Sequence, residues 1–249
     1  MSERQQVWKL MMFELKSIKA LNILNFILFT TVTFVFFSMF IFSGEFDFIN
    51  GNRPLALAID FIFLGYSASI VMYTRSKAFK MQTLKGGLYA APLMVVLRTM
   101  PFSEKAILKS RIYLYLLISI LVSTGHMLII YFSTPVLSEW ISLEQFPLWL
   151  IIWNMVTISI GVLMPMSEPG ATYTVKYIVV FCFIFYAFFL ALLIALVRFS
   201  GNGIFGWLIY FSSEHLIPTL IVSIVLGVGS TIVTYYYMNH FMKKVDYHV

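Results

Sequence analysis

Charge is scarce in this chain. Only 11% of its 249 residues are Asp, Glu, Lys or Arg, whereas 60% are hydrophobic and the mean hydropathy is +0.89. Soluble domains carry roughly a quarter charged residues, so a soluble globular class is excluded. Cysteine is nearly absent: Cys182 stands alone in an apolar run. That excludes an intrachain disulfide, and no Cys/His cluster has metal-ligand spacing. Enzyme signatures are also missing: the chain holds no H-E-x-x-H, no G-x-S-x-G and no carboxylate pair on one helix face. Without G-x-x-x-x-G-K-[ST] it builds no phosphate-cradling P-loop of its own. Gly201 to Gly206, GNGIFG, fits G-x-G-x-x-G, but no strand precedes it, and it reads as chance.

What the chain does have is long apolar runs, suited to helices at about 21–43, 55–74, 112–133, 147–166, 176–198 and 217–240. They predict an all-α integral membrane protein of six transmembrane helices, forming a single domain over 1–249. A β-barrel is excluded because FCFIFYAFFLALLIALV shows no alternation of polarity.

Basic residues set the expected orientation. Arg4, Lys9, Lys16 and Lys19 precede the first run. Arg75, Lys77, Lys80, Lys85, Arg98, Lys105, Lys109 and Arg111 lie between the second and third; Lys176, Lys243 and Lys244 fall on the same side. Of the 17 basic residues this leaves Arg53 and Arg198 opposite, so both termini are expected to be cytoplasmic. The net charge of +6 then describes a basic collar against anionic membrane lipid, with no nucleic acid partner needed. The charges of the first twenty residues, with no cleavage signature after the first run, read as a retained segment.

Four pieces differ from simple spans, one of them MPMSEPG at 164–170, where Pro165, Pro169 and Gly170 are expected to make a tight inner turn between the fourth and fifth runs. Residues 1–20 are expected to form an interfacial helix, with Trp8, Met11, Met12, Leu15 and Ile18 near one face. Residues 75–111 form the long loop, where Leu84, Leu88, Ala91 and Val95 share a helical stripe interrupted by Gly86, Gly87 and Pro92. Residues 200–216 include GIFGWLIYF, too short to cross and expected to be re-entrant or interfacial.

Polar groups within the spans are few. Asp60, near the outer end of the second, is placed to reach the interface or bond to a neighbour; an ionisable membrane residue is a functional candidate. His126 reads chiefly as a hydrogen-bonded packing histidine, and Asn154 as a hydrogen bond between helices. Ala187, Ala191 and Ala195 make a small-residue stripe that suits internal packing or a dimer seam.

The order of these elements, together with LRTMPFSEKAILKSR beginning at Leu97, resembles the permease subunit of an ABC-2 type exporter. Met100, Pro101, Phe102, Ser103, Ile107, Leu108 and Lys109 occupy places corresponding to the family's pattern before span three. The resemblance implies that the basic loop faces a separate ABC ATPase subunit, which binds ATP and Mg, while this chain binds no cofactor and is not itself an enzyme. It implies a coupling helix within Lys77 to Leu97, with Phe79, Leu84, Leu88 and Tyr89 as apolar contacts and Glu104 and Lys105 at the rim. It further implies pairing with a second copy or a homologous permease in the cell membrane. Exporters of this size carry antimicrobial peptides, lipids or polysaccharides, and the Phe- and Met-rich spans resemble Gram-positive peptide efflux permeases. A passive pore, a membrane-embedded enzyme joining Asp60 to His126, and a non-transporting immunity subunit are the competing expectations.

Overall fold

The computed structural model describes residues 1–42, 57, 60, 65, 79, 82–83, 89–133, 135–162, 164–168 and 175–244. Helix α1, Glu3–Lys16, is started by a reciprocal cap: the Gln5 backbone N–H donates to Ser2 Oγ, and the Ser2 N–H donates to Gln5 Oε1. Val7, Leu10, Met11 and Glu14 are buried, at the three-and-four spacing of a single helical face. It shares Met11 with the expected face, and Leu15 and Ile18 pack beside it, but Trp8 is 61% exposed and the buried stripe runs through the acidic Glu14 instead. Helix α2, Ala20–Phe42, follows after a sharp bend of 76°.

In the long loop, Gln82–Thr83 (β1) and Tyr89–Ala90 (β2) form a minimal antiparallel ladder, pairing Gln82 with Ala90 and Thr83 with Tyr89. Helix α3, Pro92–Thr99, begins at the proline that the sequence pattern treats as an interruption. Proline is well suited there, since a first-turn N–H needs no helical acceptor. Pro101 ends this segment, and Ser103 opens α4, Glu104–Ser133, its Oγ accepting from the Ala106 N–H at 3.2 Å. Helix α4 therefore starts well before residue 112.

The remaining helices are α5, Pro135–Ser138; α6, Phe146–Gly161; α7, Val175–Ser200; α8, Ile204–Glu214; and α9, Leu216–Lys244, with a 3₁₀ turn at Met164–Ser167. Helices α4 and α9 are each long and apolar enough to cross a membrane; counting α1 with α2 and α7 with α8 as bent spans gives up to four among the described residues. Helix α6 has 16 residues, about 24 Å at 1.5 Å per residue. The chain is thus an essentially all-helical membrane protein. Apart from Asp60 and two other positions, the expected span 55–74 lies outside the described residues.

Three apolar clusters gather among the described residues. One packs Val7 and Met11 of α1 against Ala106, Leu114, Tyr115 and Ile118 of α4. In an aqueous setting such burial contributes roughly 1.5–3 kcal/mol per large side chain. The second joins Leu10 to Met94 and Leu97 of α3, Ile107, Leu108 and Ile112 of α4, and Met238 and Met242 at the end of α9. The third, at the opposite end, stacks Tyr131, Phe146, Trp149 and Trp153 beneath Phe205 and Ile209 of α8. Within a bilayer, dispersion and shape fit drive such packing, because lipid is as apolar as the side chains. Helices α6 and α9 approach closely at Gly227, where an added Cβ would come 3.0 Å from the Met155 carbonyl oxygen.

Candidate functional site

The α3–α4 corner presents an apolar knob with a charged rim. Val96 and Met100 are 44% and 43% exposed while Met94 and Leu97, on the opposite face of α3, are buried. Thr99, Pro101, Glu104 and Lys105 are exposed around them, with Arg98 bonded to Glu104 at 2.5 Å. The Ser103 N–H donates to Gln6 Oε1 of α1 at 2.9 Å, so the corner is tied to the N-terminal helix. Pro101 and Ser103 thus have local roles as helix stop and helix cap. Of the expected partner contacts, Glu104 and Lys105 lie on this corner. Tyr89 contributes backbone to β2, and Leu84 and Leu88 lie outside the described residues.

Phe79 is only 4% exposed and faces inward. Its ring receives the Arg111 guanidinium at 4.7 Å and lies 6.3 Å from Phe13 of α1. It is committed within this chain. Arg111 itself is the second feature, and sequence reading assigned it to the exposed collar. Its side chain is 2% exposed; it bonds to Glu14 of α1, and Nε lies 3.7 Å from Glu168 Oε2, just after the 3₁₀ turn. One guanidinium therefore draws together α1, the long loop, α4 and the turn between α6 and α7. Its charge needs such partners, since an isolated ion in this setting would be strongly destabilising. The only sequence signal was an acidic residue, Glu14, on the apolar face of α1.

By contrast, Lys109 bonds to Glu3 at the surface, at 2.6 Å with both side chains over a third exposed. The hydrogen bond from the Lys109 ammonium, then its charge, holds the Glu3 carboxyl below its ordinary value. Whatever stability this pair contributes is present above the ordinary carboxylate range and fades as pH falls through the lowered value.

At the far end, Asp60 is 1% exposed, and its two carboxylate oxygens accept from the N–H groups of Ile204, at 2.6 Å, and Phe205, at 2.8 Å. A carboxylate here satisfies orphan donors and complements the positive end of the α8 dipole. Gly203 supplies the space, since a Cβ there would sit 2.6 Å from Asp60 Oδ2. Gly201 adopts φ 80°, which turns the chain out of α7. The glycines of GNGIFG thus serve a turn and a close approach, and belong to no dinucleotide fingerprint.

Between the two ends, α4 and α6 share a polar seam. Asn154 Nδ2 donates to Thr124 Oγ1 at 2.9 Å and to the Leu150 carbonyl at 2.8 Å, and Ser123 lies 3.4 Å from Thr157. His126 is 2% exposed and meets Phe29 edge-on at 6.3 Å. Asp60 bonds to the α8 N-terminus and not to His126. Ala187 and Ala191 face outward and Ala195 is half-buried, whereas Leu193 and Val197 on the same helix are buried. No group of three metal-binding side chains gathers among the described residues. Comparisons with family models, curated proteins and solved structures find no match for this chain.

Proposed function

We propose that this chain is the membrane-spanning permease subunit of an ATP-driven exporter, crossing the cell membrane six times with both termini in the cytoplasm. The observation that carries the reading is the α3–α4 corner: an exposed apolar pair, Val96 and Met100, ringed by charges at the end of the molecule where the basic residues concentrate. Such a knob suits insertion into a groove of a nucleotide-binding partner. The corner continues into α4, and it is joined through Gln6 and the Arg111 cluster to α1 and the α6–α7 turn. A push on the corner is therefore delivered to several helices at once.

In this reading ATP and Mg bind the partner, and two permeases assemble side by side, with the outward-facing Ala187 and Ala191 and the half-buried Ala195 available as the seam. The cargo is an amphipathic peptide, whose apolar face would suit the Phe- and Met-rich walls while its polar face stays among headgroups. Lipid or polysaccharide would be the alternative cargo. The test is transport by inverted membrane vesicles containing this chain and its ATPase partner. ATP-dependent uptake of an amphipathic helical peptide, lost in V96D/M100D, is expected; uptake independent of ATP would favour a pore, and peptide binding without transport an immunity protein.

A further inference from the structure

A groove of about 820 Å³ runs along the flank of α1 where it lies on α4, lined by Met1, Arg4, Val7, Trp8, Lys9 and Tyr113, among others. Its floor is apolar, from Val7 and Met11, and its walls carry two aromatic rings, Trp8 at 61% and Tyr113 at 49% exposure. Two cations, Arg4 and Lys9, stand along it; among the described residues no acidic side chain lines it and no carboxylate neutralises either. From Tyr113 an exposed apolar stripe continues along α4 through Leu117 and Leu121, at four-residue spacing.

We infer that this groove is a binding site for an anionic phospholipid, with the phosphate held by Arg4 and Lys9, the glycerol region against Trp8 and Tyr113, and an acyl chain along Leu117 and Leu121. The charge selects an anion, and the aromatic rings mark the headgroup level where indole and phenol groups partition. The stripe selects an anion with a hydrocarbon tail, because a soluble phosphate would leave it uncovered. The assignment rests on α1, α4 and the membrane setting, and is independent of what, if anything, the protein transports.

The experiment is native mass spectrometry of the intact chain in detergent, titrated with dioleoyl-phosphatidylglycerol and, separately, with dioleoyl-phosphatidylcholine. The wild type should retain phosphatidylglycerol preferentially, and Arg4→Gln/Lys9→Gln should bind it roughly thirtyfold more weakly, from the attraction each cation contributes near an anionic headgroup. Binding of phosphatidylcholine should not change in that variant. Both residues are exposed, so the variant is expected to fold, and an unchanged melting curve checks this. Equal retention of the two lipids, or wild-type retention by the double variant, would overturn the site. So would displacement of the lipid by soluble glycerol phosphate, which would make the groove an anion site without a tail. Protomer-to-protomer crosslinking through Trp8→Cys in lipid would overturn it as well, by making this flank an interface between copies.

Discussion

Replacing Arg111 with alanine would remove the cation that two buried carboxylates share. The guanidinium side chain is 2% exposed, Glu14 and Glu168 are 3% and 5% exposed, and the Phe79 ring covers the cation at 4.7 Å. Removing one member of a buried charge set costs about 3–5 kcal/mol, chiefly because the remaining charges keep their desolvation without their attraction. For a chain of this size, with about 2–4 °C per kcal/mol, the melting temperature should fall by roughly 10 °C. Melting followed by tryptophan fluorescence in a mild detergent would read this. Removing the charges together, in E14L/R111M/E168L, should recover most of the loss, since a buried ion set and an apolar replacement of similar volume are often close in stability. The exposed Glu3–Lys109 pair provides the contrast, and E3Q should leave the curve unchanged within error. An R111A protein that melts within about 2 °C of wild type would refute the view that this cluster fastens α1 to the membrane helices.

The Asp60 cap should behave as a coupled pair with Gly203. D60A should cost about 1–2 kcal/mol by removing the acceptor of two helix N–H groups, and G203A should cost more, through its clash with the carboxylate. The double variant D60A/G203A should lose less than the sum of the two, as read by the same melting assay; strict additivity would contradict the contact. Gly227→Leu should separate α6 from α9 and lower stability by about 1–3 kcal/mol or more, because the new side chain would meet Met155. A wild-type melt for that variant would mean that the two helices do not approach there.

The sequence made the coarse architecture legible because composition and run length carry it. Apolar runs marked the positions of α2, α4, α6, α7 and α9, and the short GIFGWLIYF run became α8, bent 52° from α7; the break between α3 and α4 at Pro101 and Ser103 was not read as one. Contacts made across long sequence separations could not be read. Glu14 and Arg111 are 97 positions apart, so nothing local distinguished this arginine from the exposed cations around it. On α1 the expected face holds at Met11, Leu15 and Ile18 but missed Glu14, because a carboxylate looks polar until its partner is known. Asp60 was picked out because a carboxylate in an apolar run demands a partner, but that partner, a helix N-terminus 144 residues away, has no side-chain signature. Its one trace was Gly203, hidden within a glycine pattern that chance could supply.

The proposed function stands on docking of a nucleotide-binding partner at the α3–α4 corner. The most direct measurement is purification of this chain from its native membranes in a mild detergent, with mass spectrometry of the bound proteins and assay of Mg-dependent ATP hydrolysis in the same fraction. Under the proposed function an ATPase subunit is recovered at a one-to-one ratio with hydrolytic activity, both lost in V96D/M100D while this chain remains folded. Recovery of the chain without an ATPase, or an ATPase that stays bound to the V96D/M100D protein, would contradict it.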